Sequence, residues 1–196
     1  MAYLTAQMEV AALVISILAL VIAVMALPTA FQMLWGAPLL VGCGDRYKRG
    51  DDLHLAFAIS NRPVRGFLRR FGVSRSPVEI CAIYKVTEHG TGRVVAVSRR
   101  ARLKTDQNTD AVLQVSLHAM VSPARFVVAV YRPLNGCEVP EHSEGAVPLP
   151  QGQYVAHVEI NAHDGNFWGW SQSFVVGTDA EGTYWQGDAK RSAFDP

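Results

Sequence analysis

No lysine or arginine precedes Arg46 in this chain of 196 residues. A cleaved secretory leader carries a basic start and an apolar core of about 7–15 residues. Here only Glu9 is charged ahead of a longer core, so a leader is the poorer reading, although Val24-Met25-Ala26 resembles a processing site. Leu40-Val41-Gly42-Cys43 resembles a lipobox, but Pro28, Gly36 and Pro38 separate it from the apolar core that should directly precede it. Cysteine is scarce. Cys43, Cys81 and Cys137 form no Cys-x-x-Cys pair, which argues against a zinc ribbon or a dithiol redox motif. Distant, odd-numbered cysteines read as reduced thiols; a Cys81–Cys137 disulfide belongs to the alternative in which the domain lies outside the cytoplasm. A glycine-rich phosphate loop, His-Glu-x-x-His and Gly-x-Ser-x-Gly are all missing. No cofactor fingerprint or catalytic constellation stands out, and the expectation is a binding protein rather than an enzyme.

What is present begins with Val10 to Leu27, eighteen residues interrupted in their apolar character only by Ser16. About 20 helical residues cross about 30 Å of hydrocarbon, so the run reads as a membrane-spanning helix. Pro28 can kink a helix without ending it, which extends the anchor over 10–35, marked by Val10, Leu18, Leu27 and an interfacial Trp35. Ala12 and Ser16, and Ala19 and Ala23, place small residues four apart, a spacing that permits homo-oligomers through this helix. Basic residues flank only its C-terminal side, starting with Arg46, Lys48 and Arg49. That asymmetry predicts the C-terminal domain in the cytoplasm, on a plasma (inner) membrane.

The remainder is one domain of mainly β character. Leu53, Leu55, Phe57 and Ile59 alternate with His54, Ala56 and Ala58, and Val78, Ile80, Ala82, Tyr84 and Val86 alternate with Glu79, Cys81 and Lys85. Period two is the signature of a half-buried strand. Further short runs at 94–97, 112–117, 126–131, 154–162 and 167–176 are separated by Gly, Pro and Asn clusters. The spacing predicts an antiparallel β-sandwich, immunoglobulin-like only in a loose sense. The expected boundaries are a short tail over 1–9, the anchor over 10–35, a linker over 36–50, the sandwich over 51–177 and a polar tail over 178–196. The proline-rich stretch 140–150 reads as a surface loop.

Three patches attract a functional reading. Asp164-Gly165 is a two-residue turn signal, and pairing outward from it sets Glu159 beside Trp170 and Asn161 beside Trp168. His157, Glu159, Trp168 and Trp170 then share one face, a candidate surface for a protein partner. His163 lies on the same strand face but too far from His157 for both to bind one metal, since a strand rises about 3.3 Å per residue. The second patch, Val64 to Phe71, interleaves Arg65, Arg69 and Arg70 with Phe67 and Leu68 near the anchor, as a segment lying on anionic lipid would. The alternative places Phe67 and Leu68 in the sandwich core. The third feature is a charge division. Sixteen basic and six acidic residues fall between Arg46 and Arg132, against two basic and nine acidic from Asn135 onward. Nucleic acid is a poor partner for such a chain, because that role is unusual for a membrane-tethered sandwich.

The expected function is a membrane-anchored binding, scaffold or sensor protein that presents a β-sandwich at the bilayer and engages a protein partner. The alternative is an extracytoplasmic envelope domain that binds glycan or a partner protein; a third reading is an enzyme with a loop-built site.

Overall fold

The computed structural model describes every residue except Met1, Arg65, 106–107, 120–121, 141–144 and 193–196. Its contacts divide the chain into two units, residues 1–38 with 63–76, and residues 39–62 with 77–196.

The first unit is built on helix α1, Ala2–Trp35. Residues 2–35 contain no glycine, and Ala, Leu, Met and Glu dominate its first turns, so helix propensity is high from the outset. The expected tail over 1–9 is therefore helical from Ala2. Pro28 lies inside the helix without ending it. From Ala12 to Trp35 the helix is long and apolar enough to cross a membrane, and none of its most apolar stretch is buried. The segment 63–76 carries a 3₁₀ turn over Gly66–Phe71.

The second unit is a two-sheet antiparallel sandwich. In chain order its strands are β1 Leu40–Arg49, β2 Asp52–Asn61, β3 Val78–Glu88, β4 Val94–Ala101, β5 Leu103–Thr105, β6 Asn108–Val112 and β7 Val115–Leu117. They continue with β8 Ala124–Arg132, β9 Gly136–Val139, β10 Val147–Leu149, β11 Gly152–Ala162, β12 Phe167–Val176 and β13 Tyr184–Arg191. One sheet runs β1-β2-β8-β5-β6, with β9 on β8 and β10 on β9; the other runs β13-β12-β11-β3-β4, with β7 on β3. The expected alternation holds along β3, where Val78, Ile80, Ala82, Tyr84 and Val86 are all buried. Between the sheets Tyr84 stacks on Phe126 at 5.4 Å, and Phe57 meets Trp170 at 6.2 Å. Offset and tilted ring pairs of this kind add to the apolar burial that holds the layers together.

Two boundaries move outward. Most of the expected linker over 36–50 is strand β1, and the expected tail over 178–196 supplies β13. The first was obscured by glycine. Gly42 and Gly44 break the apolar alternation of β1 because larger neighbours fill their space: a Cβ on Gly42 would come within 2.5 Å of the Phe57 ring. The expected loop over 140–150 contains the short strand β10, while 141–144 lie outside the described residues.

The hairpin between β11 and β12 differs from the expected two-residue turn. Gly165 N donates to Ala162 O at 3.1 Å and Ala162 N to Asn166 O at 2.8 Å, with Gly165 at φ +83°. His163, Asp164 and Gly165 thus form a three-residue loop with glycine in the left-handed position, the next commonest hairpin geometry. Asn161 consequently pairs with Phe167, Glu159 with Gly169 and Val158 with Trp170. A one-residue slip exchanges the faces of every side chain on one strand.

Candidate functional site

That slip separates the expected partner-binding surface. His157 and Glu159 stay on the outer face of the second sheet, partly exposed. Trp170 is buried in the core, and Trp168 is partly buried against it. The structure does not bring the four side chains together on one surface.

The outer face instead carries a polar network around His157. Its Nδ1 lies 2.9 Å from Ser171 Oγ and its Nε2 lies 3.1 Å from Thr87 Oγ1. Ser171 Oγ is 3.0 Å from Ser192 Oγ. Burial lowers the His157 pKa, and the neighbouring Lys85 lowers it further. A neutral imidazole is the form this setting prefers. Both ring nitrogens face hydroxyl oxygens, so the imidazole is held in place from two sides. The network suits hydrogen bonding.

Beside it, β12 and β13 part. Ser173 pairs with Gln186 and Ser171 with Lys190, leaving Gly187, Asp188 and Ala189 opposite Gln172. Gly187 adopts φ +67°, and Gln172 Nε2 donates to its carbonyl at 2.7 Å. Bulges of this kind bend a strand and re-aim its side chains. The result is a half-open groove of about 370 Å³ over Val155, with Gln153, Ser171, Ser173, Gln186, Asp188 and Lys190 around it. Its lining offers donors and acceptors of both kinds and one charge of each sign. No reading of spacing alone places this groove, because it depends on a register shift. Among the described residues no group of three or more His, Cys, Asp or Glu side chains is placed to hold a metal ion.

The other candidate lies at the C-terminal end of α1. The last carbonyls of a helix lack intrahelical partners and must find others. Here Arg75 serves the last of them, Trp35 O, and residues 75–76 bond the two carbonyls that follow the helix, Gly36 O and Ala37 O. Ser76 N donates to Gly36 O at 2.7 Å, and Arg75 Nη1 donates to Trp35 O and Ala37 O, both at 2.7 Å. A guanidinium at this end also complements the helix dipole. Gln32 completes the cap as a side-chain copy of a peptide group: its Nε2 donates to Ser74 O at 2.8 Å and Ser74 N donates to its Oε1 at 3.0 Å. Gly36 leaves room for that amide, since a Cβ there would come within 2.4 Å of Gln32 Nε2. No local pattern marks Gln32, Gly36 and Ser74 as a cap; the one signal in the sequence is a lone amide in the last apolar turn.

The same cap positions the basic-aromatic segment. The Phe67 ring meets Phe31 edge-on at 6.4 Å, and Phe31 lies 5.2 Å from Trp35. Phe67 is 60% exposed and belongs with the helix rather than with the sandwich core. Arg69 and Arg70 are exposed, and among the described residues neither forms an ion pair. Arg65 lies outside the described residues. Of the anchor positions, Val10 lies on α1, and Leu18, Leu27 and Trp35 are 55%, 41% and 39% exposed.

No protein-family model, curated protein or solved structure matches the chain.

Proposed function

We propose that the chain is a membrane-anchored binding protein that holds its β-sandwich at the cytoplasmic surface of a membrane and engages a partner there. One observation carries this reading: a 24-residue apolar stretch, Ala12–Trp35, stands with none of its most apolar part buried. A helix that is apolar all round and unburied in its own fold has its counterpart in hydrocarbon. Two features support retention of the segment. The helix continues without a break through Val24-Met25-Ala26, and its last turn is stitched to residues 74–76. Cytoplasmic placement rests on the basic flank that begins at Arg46.

Exposed Cys43 reports the side directly. In sealed cells, a membrane-impermeant maleimide is expected to label it only after the membrane is opened. Labelling from outside would favour the second reading, an extracytoplasmic domain that binds glycan or a partner protein. The groove beside Ser171 supports that alternative, since its amides and hydroxyls, together with a carboxylate, an ammonium and the apolar Val155, suit a polyhydroxyl ligand.

A further inference from the structure

We infer that the Gly66–Phe71 turn is an interfacial collar that gathers anionic phospholipid headgroups around the base of α1; this rests on α1 being membrane-inserted. At about 1.5 Å per residue, Ala12–Trp35 spans about 36 Å, the hydrocarbon layer and the start of the headgroup region. Trp35, Phe31 and Phe67 form one aromatic cluster at the end of that span. Aromatic rings of this type collect at the headgroup boundary.

The segment cannot drift from that level. Gln32 pairs with Ser74, and Arg75 is committed to the carbonyls of Trp35 and Ala37. With Arg75 so occupied, Arg69 and Arg70 remain exposed on a turn flanked by Gly66 and Gly72, both in the left-handed region. The stretch 62–76 contains five arginines and no acidic residue. A site for an acidic or mixed-charge surface needs no aromatic at 60% exposure beside its cations; the boundary between acyl chain and phosphate uses both. Each juxtamembrane arginine favours anionic lipid roughly five-fold, from about 1 kcal/mol per charge.

The test uses the full chain reconstituted in vesicles of phosphatidylcholine with about 10% phosphatidylglycerol, one lipid brominated at a time. Quenching of Trp35 by the brominated lipid gives the local enrichment of each headgroup. Phosphatidylglycerol is expected to be enriched at least five-fold over its bulk fraction. Arg69→Gln with Arg70→Gln should bring enrichment close to one, while Arg99→Gln with Arg100→Gln, equal in charge but on β4, should leave it intact. No enrichment, or equal loss in both variants, overturns the collar. Loss of enrichment on adding inorganic phosphate also overturns it, in favour of a soluble-phosphate site. Absence of quenching by either lipid is a different failure: Trp35 is then outside the bilayer, and the anchored reading falls first.

Discussion

The indole of Trp185 lies over Gly44, with its Nε1 donating to Asp45 O at 2.9 Å. This contact joins β1 of one sheet to β13 of the other and closes one edge of the sandwich. The fit depends on the missing side chain, because a Cβ on Gly44 would come within 2.6 Å of Trp185 Cγ and 2.7 Å of Gln172 Oε1. Gly44→Val should destabilise the chain by about 1–3 kcal/mol through overpacking. Trp185→Ala should cost about 3 kcal/mol or more through lost packing against Phe57 and Phe174. Urea unfolding of the full chain in micelles measures both. An unchanged midpoint in either variant would show that the edge is not closed this way.

The helix cap makes a second prediction. Gln32→Ala removes two hydrogen bonds to Ser74, worth about 1 kcal/mol each in net terms. Arg75→Gln removes the shared donor to Trp35 and Ala37. Either change should speed amide exchange at Ser74 and Ser76 and raise tryptic cleavage after Arg69 and Arg70. The sandwich strands should exchange at unaltered rates. Uniform acceleration across both units would contradict a local cap.

His157 makes the fold sensitive to acid. Its folded-state pKa lies below the ordinary histidine value because of burial and Lys85, and burial does the same to His54. The unfolded chain therefore binds more protons in the window below about pH 6.5, so stability rises with pH there. The contribution is fully present above about pH 6.5 and is lost as pH falls through that window. His157→Gln should flatten the decline between pH 7.5 and pH 5, leaving the part due to His54. A decline of unaltered steepness would rule His157 out as a source.

The thiols should differ in reactivity. Burial pushes Cys137 up to about 12, so it stays protonated and unreactive in the folded chain. Cys43 is exposed, although burial of its sulfur and the nearby Asp45 raise its pKa. Disulfide-exchange reagents at pH 8 should modify Cys43 first and Cys137 only on unfolding. Early modification of Cys137 would place it outside the core.

The sandwich was legible because burial on one face imposes period two, and β3 shows it without interruption. The helix was legible because hydrocarbon demands length and apolarity alone. What escaped depends on long-range register. Gly42 and Gly44 hid β1, since their role is visible only against Phe57, Trp170 and Trp185. Asp164-Gly165 named a turn but not its length, and one extra residue sent Trp170 inward and left His157 outside. The groove beside Ser171 and the Gln32–Ser74 pair arise where distant segments meet, and no local pattern encodes either.

Under the proposed function the apolar helix stays attached and holds the sandwich on a membrane. Alkaline carbonate extraction of expressing cells, followed by intact-mass measurement of the retained protein, tests it most directly. The 21.4 kDa chain is expected in the carbonate-resistant membrane fraction. A carbonate-soluble species beginning at Leu27, after Val24-Met25-Ala26, would contradict it.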